Sequence, residues 1–203
     1  MPPNYRFEIA IYTQGFQKIA GVDEVGRGCL AGPVVASAVI LPKNCDLVGL
    51  NDSKVLTPVR REKLSAEIYR VAEGVGIGMC SPQDIDEMNI AQASFLAMKK
   101  AIFMLNPAPD YLLIDGPFKL DLPLPQQGIT KGDALSCSIA AASIVAKVFR
   151  DRLMDEYAKR FPHYQFDQNK GYPTKDHKEA IQRFGVTEIH RFSFRGVGEC
   201  ARA

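Results

Sequence analysis

The chain has 203 residues, 46% of them hydrophobic and 24% charged, with 16 glycines and 13 prolines. These values are typical of a globular protein and exclude a disordered, collagen-like or coiled-coil chain. The length suffices for one domain with a small appendage and is too short for two large domains. Within a net charge of +2, residues from 159 onward carry nine Lys or Arg against five Asp or Glu. An acidic body with a basic tail suits a metal-dependent enzyme that acts on a phosphate chain, although ordinary variation in surface charge gives the same distribution.

Neither a membrane segment nor a secretion signal is predicted. The longest mainly apolar stretch, residues 30–42, is shorter than the roughly 20 residues of a membrane helix. No apolar run follows the charged residues Arg6 and Glu8, so we expect no signal peptide. The five cysteines are odd in number and contain no Cys-x-x-Cys pair, which indicates reduced thiols rather than disulfides or a zinc site. We therefore expect a cytoplasmic protein.

Four segments rich in apolar and β-branched residues predict strands. They are residues 19–22, 34–41, 75–80 and 110–115. The first three strands can form an antiparallel meander, but a helix between the second and third also permits a parallel connection.

Thr57 and Ser81 each precede a proline, which is the pattern of an N-cap followed by Pro at the first helical position. Helices are predicted over residues 59–73, 81–105 with a break, 138–161, and from 174 onward. This order predicts an α/β fold with a mixed central sheet flanked by helices. Residues after about 162 are polar and predict a small, mostly helical C-terminal extension.

Acidic side chains follow two of the predicted strands and precede the longest helix. They are Asp23, Glu24, Asp115 and Asp133. An aspartate at the end of a strand often only caps a turn. Carboxylates that converge at one sheet edge repel each other and lose hydration, and a bound divalent cation removes both costs. Oxygen ligands without nearby His or Cys favour Mg²⁺ or Mn²⁺, and two such cations about 4 Å apart would support phosphodiester hydrolysis.

Asp151 is predicted to lie outside this cluster. On a continuous helix it would be about 27 Å from Asp133, and we interpret it as the i,i+4 partner of Lys147 on a solvated face. The small residues from 138 to 146 indicate close packing of the same helix against the sheet.

Three loop segments carry candidate ligand-binding residues. The turn Gly26-Arg27-Gly28 can bring backbone N–H groups and a guanidinium close to a phosphate or sugar. Lys54 precedes the Thr57 cap, and a helix-entry turn explains its loop equally well. Tyr172 lies between Gly and Pro, where its ring can stack on a base or sugar. Of the histidines, His163 and His177 are interpreted as surface or capping residues and His190 as a possible substrate contact.

Six blocks occur in a characteristic order from about residue 19 to 195. They are Asp23-Glu24-Val25-Gly26-Arg27-Gly28, Asn51-Asp52-Ser53-Lys54, Ile114-Asp115-Gly116, Lys131-Gly132-Asp133, residues 138–148 and Lys170-Gly171-Tyr172. Each block alone is unspecific, but the ordered set resembles the ribonuclease HII family, the bacterial type 2 ribonucleases H.

The resemblance implies a ribonuclease H-like fold and endonucleolytic cleavage of the RNA strand in RNA–DNA hybrids. It also implies incision on the 5′ side of single ribonucleotides in duplex DNA, leaving 3′-hydroxyl and 5′-phosphate ends. The family's metal-binding carboxylates correspond to Asp23, Glu24, Asp115 and Asp133. Its ribonucleotide-sensing turn corresponds to Gly26, Arg27 and Gly28, and its tyrosine at the RNA-to-DNA step to Tyr172. Cys29, directly after the turn, departs from the expected pattern and raises only the question of oxidation sensitivity.

We therefore expect residues 1–161 to form the catalytic domain, and residues 162–203 to pack beside the site and contribute to substrate binding. We also expect a monomer that acts in DNA replication and ribonucleotide excision repair. Two other classes of protein stay open on the residues alone. A phospho-accepting signalling domain would use one Mg²⁺ and one aspartate, and a non-catalytic hybrid-binding protein would have no need of four carboxylates beside a phosphate path.

Overall fold

A five-stranded sheet with the strand order β3-β2-β1-β4-β5 forms the centre of the protein. The computed structural model describes residues 2–43, 45–51, 53 and 55–200. The strands are β1 (Ile19–Val25), β2 (Val34–Ile40), β3 (Gly74–Cys80), β4 (Tyr111–Asp115) and β5 (Gln126–Ile129). The first three strands pair antiparallel, whereas β4 runs parallel to β1 and β5 runs parallel to β4. The sheet is therefore mixed, as predicted, and its first part is the antiparallel meander.

Helices cover both faces of the sheet. They are α1 (Arg6–Tyr12), α2 (Pro58–Val71), α3 (Pro82–Met88), α4 (Ile90–Phe103), α5 (Cys137–Arg160), α6 (Phe166–Asn169) and α7 (Lys175–Phe184). Thr57 and Ser81 cap α2 and α3, because each side chain accepts a hydrogen bond from a backbone N–H three residues later. The predicted break falls at Asn89, whose φ of 72° ends α3 and whose side chain caps α4.

The elements α1 and β5 lie outside every helix and strand predicted from the sequence. The helix α1 has only seven residues and no side-chain cap, and β5 is a four-residue edge strand with two glutamines. Neither element has the periodic apolar pattern on which a sequence-based prediction depends. Both are fixed by tertiary contacts, β5 by pairing with β4 and α1 by packing of Ile11 beside Ile19.

Glycines in the sheet let two helices approach it closely. A Cβ atom at Gly21 of β1 would lie 2.1 Å from the backbone of Ser138 in α5. On the other face, a Cβ atom at Gly76 of β3 would lie 2.0 Å from the carbonyl oxygen of Ala101 in α4. The small residues at the start of α5 therefore serve close helix-to-sheet packing, as the sequence indicated.

The C-terminal segment packs against α5 and the loop after β1. Tyr164, Phe166, Ile181 and Ile189 form one apolar cluster with Met154 of α5 and with the loop residues Leu30 and Ala31. This contact fixes the position of residues 162–200 beside the end of β1. Within the described part of the chain, no helix combines the length and the apolar character needed to cross a bilayer.

Replacing Gly21 with Ala should destabilise the protein by at least about 2 kcal/mol, because the added methyl group meets backbone atoms that cannot move aside. The matched control is Gly28→Ala, because a Cβ atom at Gly28 meets nothing within 4 Å. Urea unfolding of both variants at pH 7.5 provides the measurement. Equal stability of the two variants would contradict the close approach of α5 to β1.

Candidate active site

The parallel pairing of β1 and β4 brings two carboxylates together. In this register Val22 lies beside Ile114, so the next residues along each strand, Asp23 and Asp115, are neighbours. Side chains alternate between the two faces of a strand. Asp23 therefore lies on the same face as Gly21, against which α5 packs.

The third carboxylate reaches the cluster through a tight turn before α5. Lys131 adopts a left-handed conformation with φ 59°, and residues 132–134 form one turn of 3₁₀ helix. An oxygen of Asp115 accepts hydrogen bonds from the backbone N–H groups of Gly132 (2.6 Å) and Asp133 (3.4 Å). Asp115 thus anchors the segment that carries Asp133.

Asp23, Asp115 and Asp133 form the acidic cluster of the protein. One ligand oxygen from each residue lies within 4.8 Å of the other two. Asp23 and Asp133 are each only 5% exposed. Burial, followed by the negative charges of Glu24 and Asp115, raises the pKa of Asp23 well above its usual range.

Glu24 lies next to this cluster but is not one of its three members. One of its carboxylate oxygens accepts a hydrogen bond from Arg27 at 3.0 Å. Burial raises the pKa of Glu24, and the contact with Arg27 opposes this rise. Its second oxygen, Oε2, is buried and has no hydrogen-bond partner within the described residues.

The donor set fits a hard divalent cation. Among the described residues, three carboxylate oxygens converge without a His or Cys in the group, and Glu24 adds a buried oxygen without a hydrogen-bond partner. Oxygen ligands of this kind suit Mg²⁺ or Mn²⁺, and a bound cation would offset the repulsion that raises the pKa of Asp23.

The turn Gly26-Arg27-Gly28 continues directly from β1. Gly26 has φ 92°, and a Cβ atom there would lie 2.3 Å from the buried guanidinium of Arg150. Arg27 and Gly28 are exposed at the surface. The following residue, Cys29, is fully buried, and its thiol contacts the carbonyl oxygen of Lys170 at 3.7 Å. The turn therefore lies against the loop that carries Tyr172.

Tyr172 presents part of its ring to solvent beside this turn. The side chain is 37% exposed, and the Lys147 ammonium group lies 5.6 Å from the ring centroid. Backbone bonding joins the two loops, because the N–H of Leu30 donates to the carbonyl of Gly171 at 2.8 Å. The turn after β1 and the Tyr172 loop thus form one continuous surface.

Asp151 does not belong to the acidic cluster, as predicted, and it pairs with Lys147 at 2.7 Å. Its face is nevertheless less solvated than expected, since Asp151 is 17% exposed and also faces Arg61 at 3.7 Å. Lys147, Asp151 and Tyr172 line the same groove. The helix α5 begins at Cys137, so Asp133 and Asp151 do not share one continuous helix.

Two of the three histidine interpretations were wrong. His177 and His190 are fully buried, and their Nε2 atoms lie 3.1 Å apart. His177 also contacts the carbonyl of Tyr172 through Nδ1 at 2.9 Å, so it supports the Tyr172 loop from inside. Burial lowers the pKa of His190 to about 4, which keeps it neutral. His163 is at the surface as predicted, stacked on Phe184.

Lys54, the remaining candidate, lies outside the described residues. Its neighbour Ser53 is buried and bonds to the hydroxyl of Ser143 at 2.9 Å. The Ser143 side chain in turn hydrogen-bonds Asp23. Ser53 is therefore linked to the acidic cluster through Ser143.

Several buried polar residues around the site were not singled out from the sequence. Glu8 of α1 accepts hydrogen bonds from Ser136 Oγ (2.6 Å) and Ser138 N (2.9 Å), and thus caps the start of α5. Arg150 and Arg191 are fully buried and hold the loop after β1. Charged residues inside a helix or a polar tail look like surface residues in a sequence, so no local pattern distinguishes them.

Comparison with known proteins agrees with this architecture. The family model of ribonuclease HII matches residues 20–197. The ribonuclease HII of Geotalea uraniireducens is 54% identical over 202 residues, covering 100% of this chain and 94% of that protein. The crystal structure of ribonuclease H2 from Pyrococcus horikoshii superposes with a TM-score of 0.78 at 26% identity, covering 92% of this chain and 98% of the other. The Bst ribonuclease HIII solved in complex with Mn²⁺ shares the fold, with a TM-score of 0.77 at 17% identity, covering 96% and 72% of the two chains.

A mixed sheet of this topology with carboxylates at the ends of two adjacent parallel strands defines a nuclease of the ribonuclease H class. The match over nearly the whole sequence narrows the class further. The chain belongs to the ribonuclease HII family. It is accordingly an endoribonuclease that hydrolyses the RNA strand of RNA–DNA hybrids.

The Asp23→Asn variant should be more stable than the parent protein in chelator at pH 7.5. The pKa of Asp23 is higher in the folded state than in the unfolded state, so the folded protein binds a proton more tightly. The parent protein therefore loses stability as the pH rises from the unfolded-state pKa to the folded-state pKa. Asn does not titrate and removes the repulsion, and we expect a melting temperature higher by about 2–4 °C. Calorimetry should show that this difference shrinks as the pH falls towards about 4, where the unfolded aspartate takes up its proton. A less stable variant would contradict carboxylate repulsion in the cluster.

Proposed function

We propose that this endoribonuclease incises duplex DNA on the 5′ side of a single embedded ribonucleotide and leaves 3′-hydroxyl and 5′-phosphate ends. The observation that carries the proposal is the placement of the acidic cluster at the end of the strand that runs into the exposed Gly26-Arg27-Gly28 turn. A group that reads ribose at this turn lies only a few residues from the carboxylates.

We assign the cation ligands to Asp23, Glu24, Asp115 and Asp133. Two divalent cations, Mg²⁺ or Mn²⁺, bound at this site would activate a water molecule and stabilise the leaving oxygen. The chain's own contribution is geometric. Asp115 fixes the turn that carries Asp133, and Arg27 fixes one oxygen of Glu24. The ligand atoms are thus held by backbone and side-chain hydrogen bonds before any substrate arrives.

Recognition of the ribonucleotide is assigned to the turn and to Tyr172. A 2′-hydroxyl group is the feature that separates RNA from DNA, and backbone N–H groups of Arg27 and Gly28 are donors suited to it. The exposed ring of Tyr172 offers a stacking surface beside the same turn. Lys54 and the Arg27 guanidinium add positive charge for the phosphates on either side.

Residues 1–161 would then form the catalytic domain, and residues 162–203 would contribute to substrate binding. The packing of Tyr164, Phe166 and Ile189 against the loop after β1 supports this division of roles. We further infer a monomer that acts in the cytoplasm, during DNA replication and ribonucleotide excision repair. The five cysteines are all free thiols, which agrees with a reducing compartment.

A labelled DNA duplex with one ribonucleotide tests the activity directly. We expect a single nick on the 5′ side of the ribonucleotide with Mg²⁺ or Mn²⁺ and no nick with chelator. Asp115→Asn should reduce cleavage by roughly 10²- to 10³-fold or more, since it removes negative charge from the cluster and weakens cation binding. Binding of the duplex, measured by fluorescence anisotropy, should change little.

The result also separates the other classes of protein. Metal-dependent phosphorylation of one aspartate, without a nick, would indicate a phospho-accepting domain. Binding without cleavage by the folded parent protein would indicate a non-catalytic binding protein. Surface Asp121→Asn is the matched control for Asp115→Asn, because its carboxylate is fully exposed, faces Lys99 at 3.5 Å and is not part of the acidic cluster.

Tyr172→Ala should lower kcat/KM on the single-ribonucleotide duplex by about 10- to 100-fold, the scale expected when stacking on one base or sugar is lost. Tyr172→Phe keeps the ring and should retain most of this activity. The backbone carbonyl of residue 172, which contacts His177, is present in both variants. Both variants should therefore keep the fold of this loop. If the Ala variant also had a lower melting temperature that accounted for its loss of activity, Tyr172 would be a structural residue only.

A further inference from the structure

Arg191 is buried beneath the recognition turn, which consists of Gly26, Arg27 and Gly28, and binds this turn from the inside. Its side chain is 0% exposed. Nη2 donates to the carbonyl of Gly26 at 2.7 Å, Nη1 to the carbonyl of Arg27 at 3.0 Å, and Nε to the carbonyl of Gly32 at 3.0 Å. The backbone N–H of Arg191 also donates to the carbonyl of Leu30 at 2.9 Å. One residue therefore holds four carbonyl groups of a single loop.

These contacts determine where the amides of the turn point. In a trans peptide the C=O and the N–H of the next residue point in opposite directions. The carbonyl of Gly26 shares its peptide plane with the N–H of Arg27, and the carbonyl of Arg27 shares its plane with the N–H of Gly28. Since both carbonyls face the buried guanidinium, both N–H groups face away from it, towards the exposed side of the turn.

The two outward amides donate to no residue in the part of the chain that the structure describes. Among the described residues, the N–H groups of Arg27 and Gly28 donate to no other residue, whereas the next amide, that of Cys29, turns back to the carbonyl of Gly26 at 3.4 Å. Two adjacent donors are thus left for a ligand atom with lone pairs. A ribose hydroxyl group is such an acceptor, and a deoxyribose carbon is not.

The guanidinium also makes these amides better donors. Burial lowers the pKa of Arg191 to about 10, which leaves the group protonated at neutral pH. A positive charge bound to a peptide carbonyl polarises that peptide and strengthens the hydrogen bond given by its N–H. Arg191 therefore affects both the direction and the strength of the two donors.

We propose that Arg191 is a positioning residue for ribose selection: its guanidinium fixes the two peptide planes of the Gly26-Arg27-Gly28 turn so that their N–H groups meet the 2′-hydroxyl of the ribonucleotide. The inference rests on the proposed function of the turn and deepens it. Arg191 itself does not touch the substrate, because the turn lies between the guanidinium and the surface.

Arg150 provides a matched control. It is also fully buried, and it donates to the carbonyls of Pro33 (Nε, 3.0 Å), Ala31 (Nη2, 3.0 Å) and Lys170 (Nη1, 2.8 Å). It resembles Arg191 in burial and in hydrogen bonding, but it binds neither carbonyl of the turn's two central peptides. Replacing Arg150 with Lys therefore reproduces the loss of a buried guanidinium without removing the contact under test.

The experiment compares Arg191→Lys with Arg150→Lys, each in the Asp115→Asn background so that the duplex stays intact. Lys keeps the charge but cannot bind the two turn carbonyls with a planar fork. The readout is the ratio of affinities for a single-ribonucleotide duplex and an all-DNA duplex of the same sequence. We expect this ratio to fall about tenfold in Arg191→Lys, as for the loss of one good hydrogen bond, and to change less than threefold in Arg150→Lys.

The possible outcomes separate the inference from the proposed function. An unchanged ratio in folded Arg191→Lys, or an equal fall in both variants, would overturn the positioning role alone. A background protein that does not prefer the ribonucleotide duplex would overturn the proposed function of the turn and the inference with it. If Arg191→Lys fails to fold, ¹⁵N relaxation of the parent protein decides: order parameters near 0.85 for Arg27 and Gly28 support the clamp, and values below about 0.6 refute it.

Discussion

The pairing of β1 with β4 is the constraint on which the rest of the site depends. Because Val22 lies beside Ile114 in a parallel ladder, Asp23 and Asp115 are placed side by side on the face against which α5 packs. A shift of this register by one residue would move either carboxylate to the opposite face. The turn that carries Asp133 is bonded to Asp115, so it follows the same register. The cost is electrostatic, since three acidic groups, two of them buried, repel one another until a cation joins them.

Two buried arginines organise the other half of the site. Arg150 and Arg191 bind the carbonyls of one loop, residues 26–33, and Arg150 also binds Lys170 in the Tyr172 loop. A buried guanidinium is costly unless its donors are satisfied, and here backbone carbonyls satisfy them. Residues that face the solvent are thus held in place by charged residues that do not reach it. The recognition turn follows Asp23 and Glu24 directly in the sequence. It is nevertheless held by Arg150 and Arg191, whereas the acidic cluster is held by the strand pairing and by the turn before α5.

Much of this arrangement was predictable from the sequence because its signals are local. The four main strands, the caps at Thr57 and Ser81, a break within residues 81–105 and the small-residue face of α5 all follow from short patterns. The convergence of Asp23, Asp115 and Asp133 followed from their positions at strand and helix ends. The roles of His177, His190 and Arg191 did not, because each depends on contacts between distant segments.

The contact between Arg27 and Arg191 spans 164 positions of the chain. The three carboxylates of the acidic cluster, by contrast, lie between residues 23 and 133. A ribosome makes the chain from its N-terminus, so every carboxylate of the cluster is synthesised before the residue that orients the recognition turn. The residues proposed to bind cations and the residue proposed to orient the turn are therefore made at different times during synthesis. The contact proposed to orient the recognition turn is thus the last to become available, and it requires the C-terminal segment to have docked.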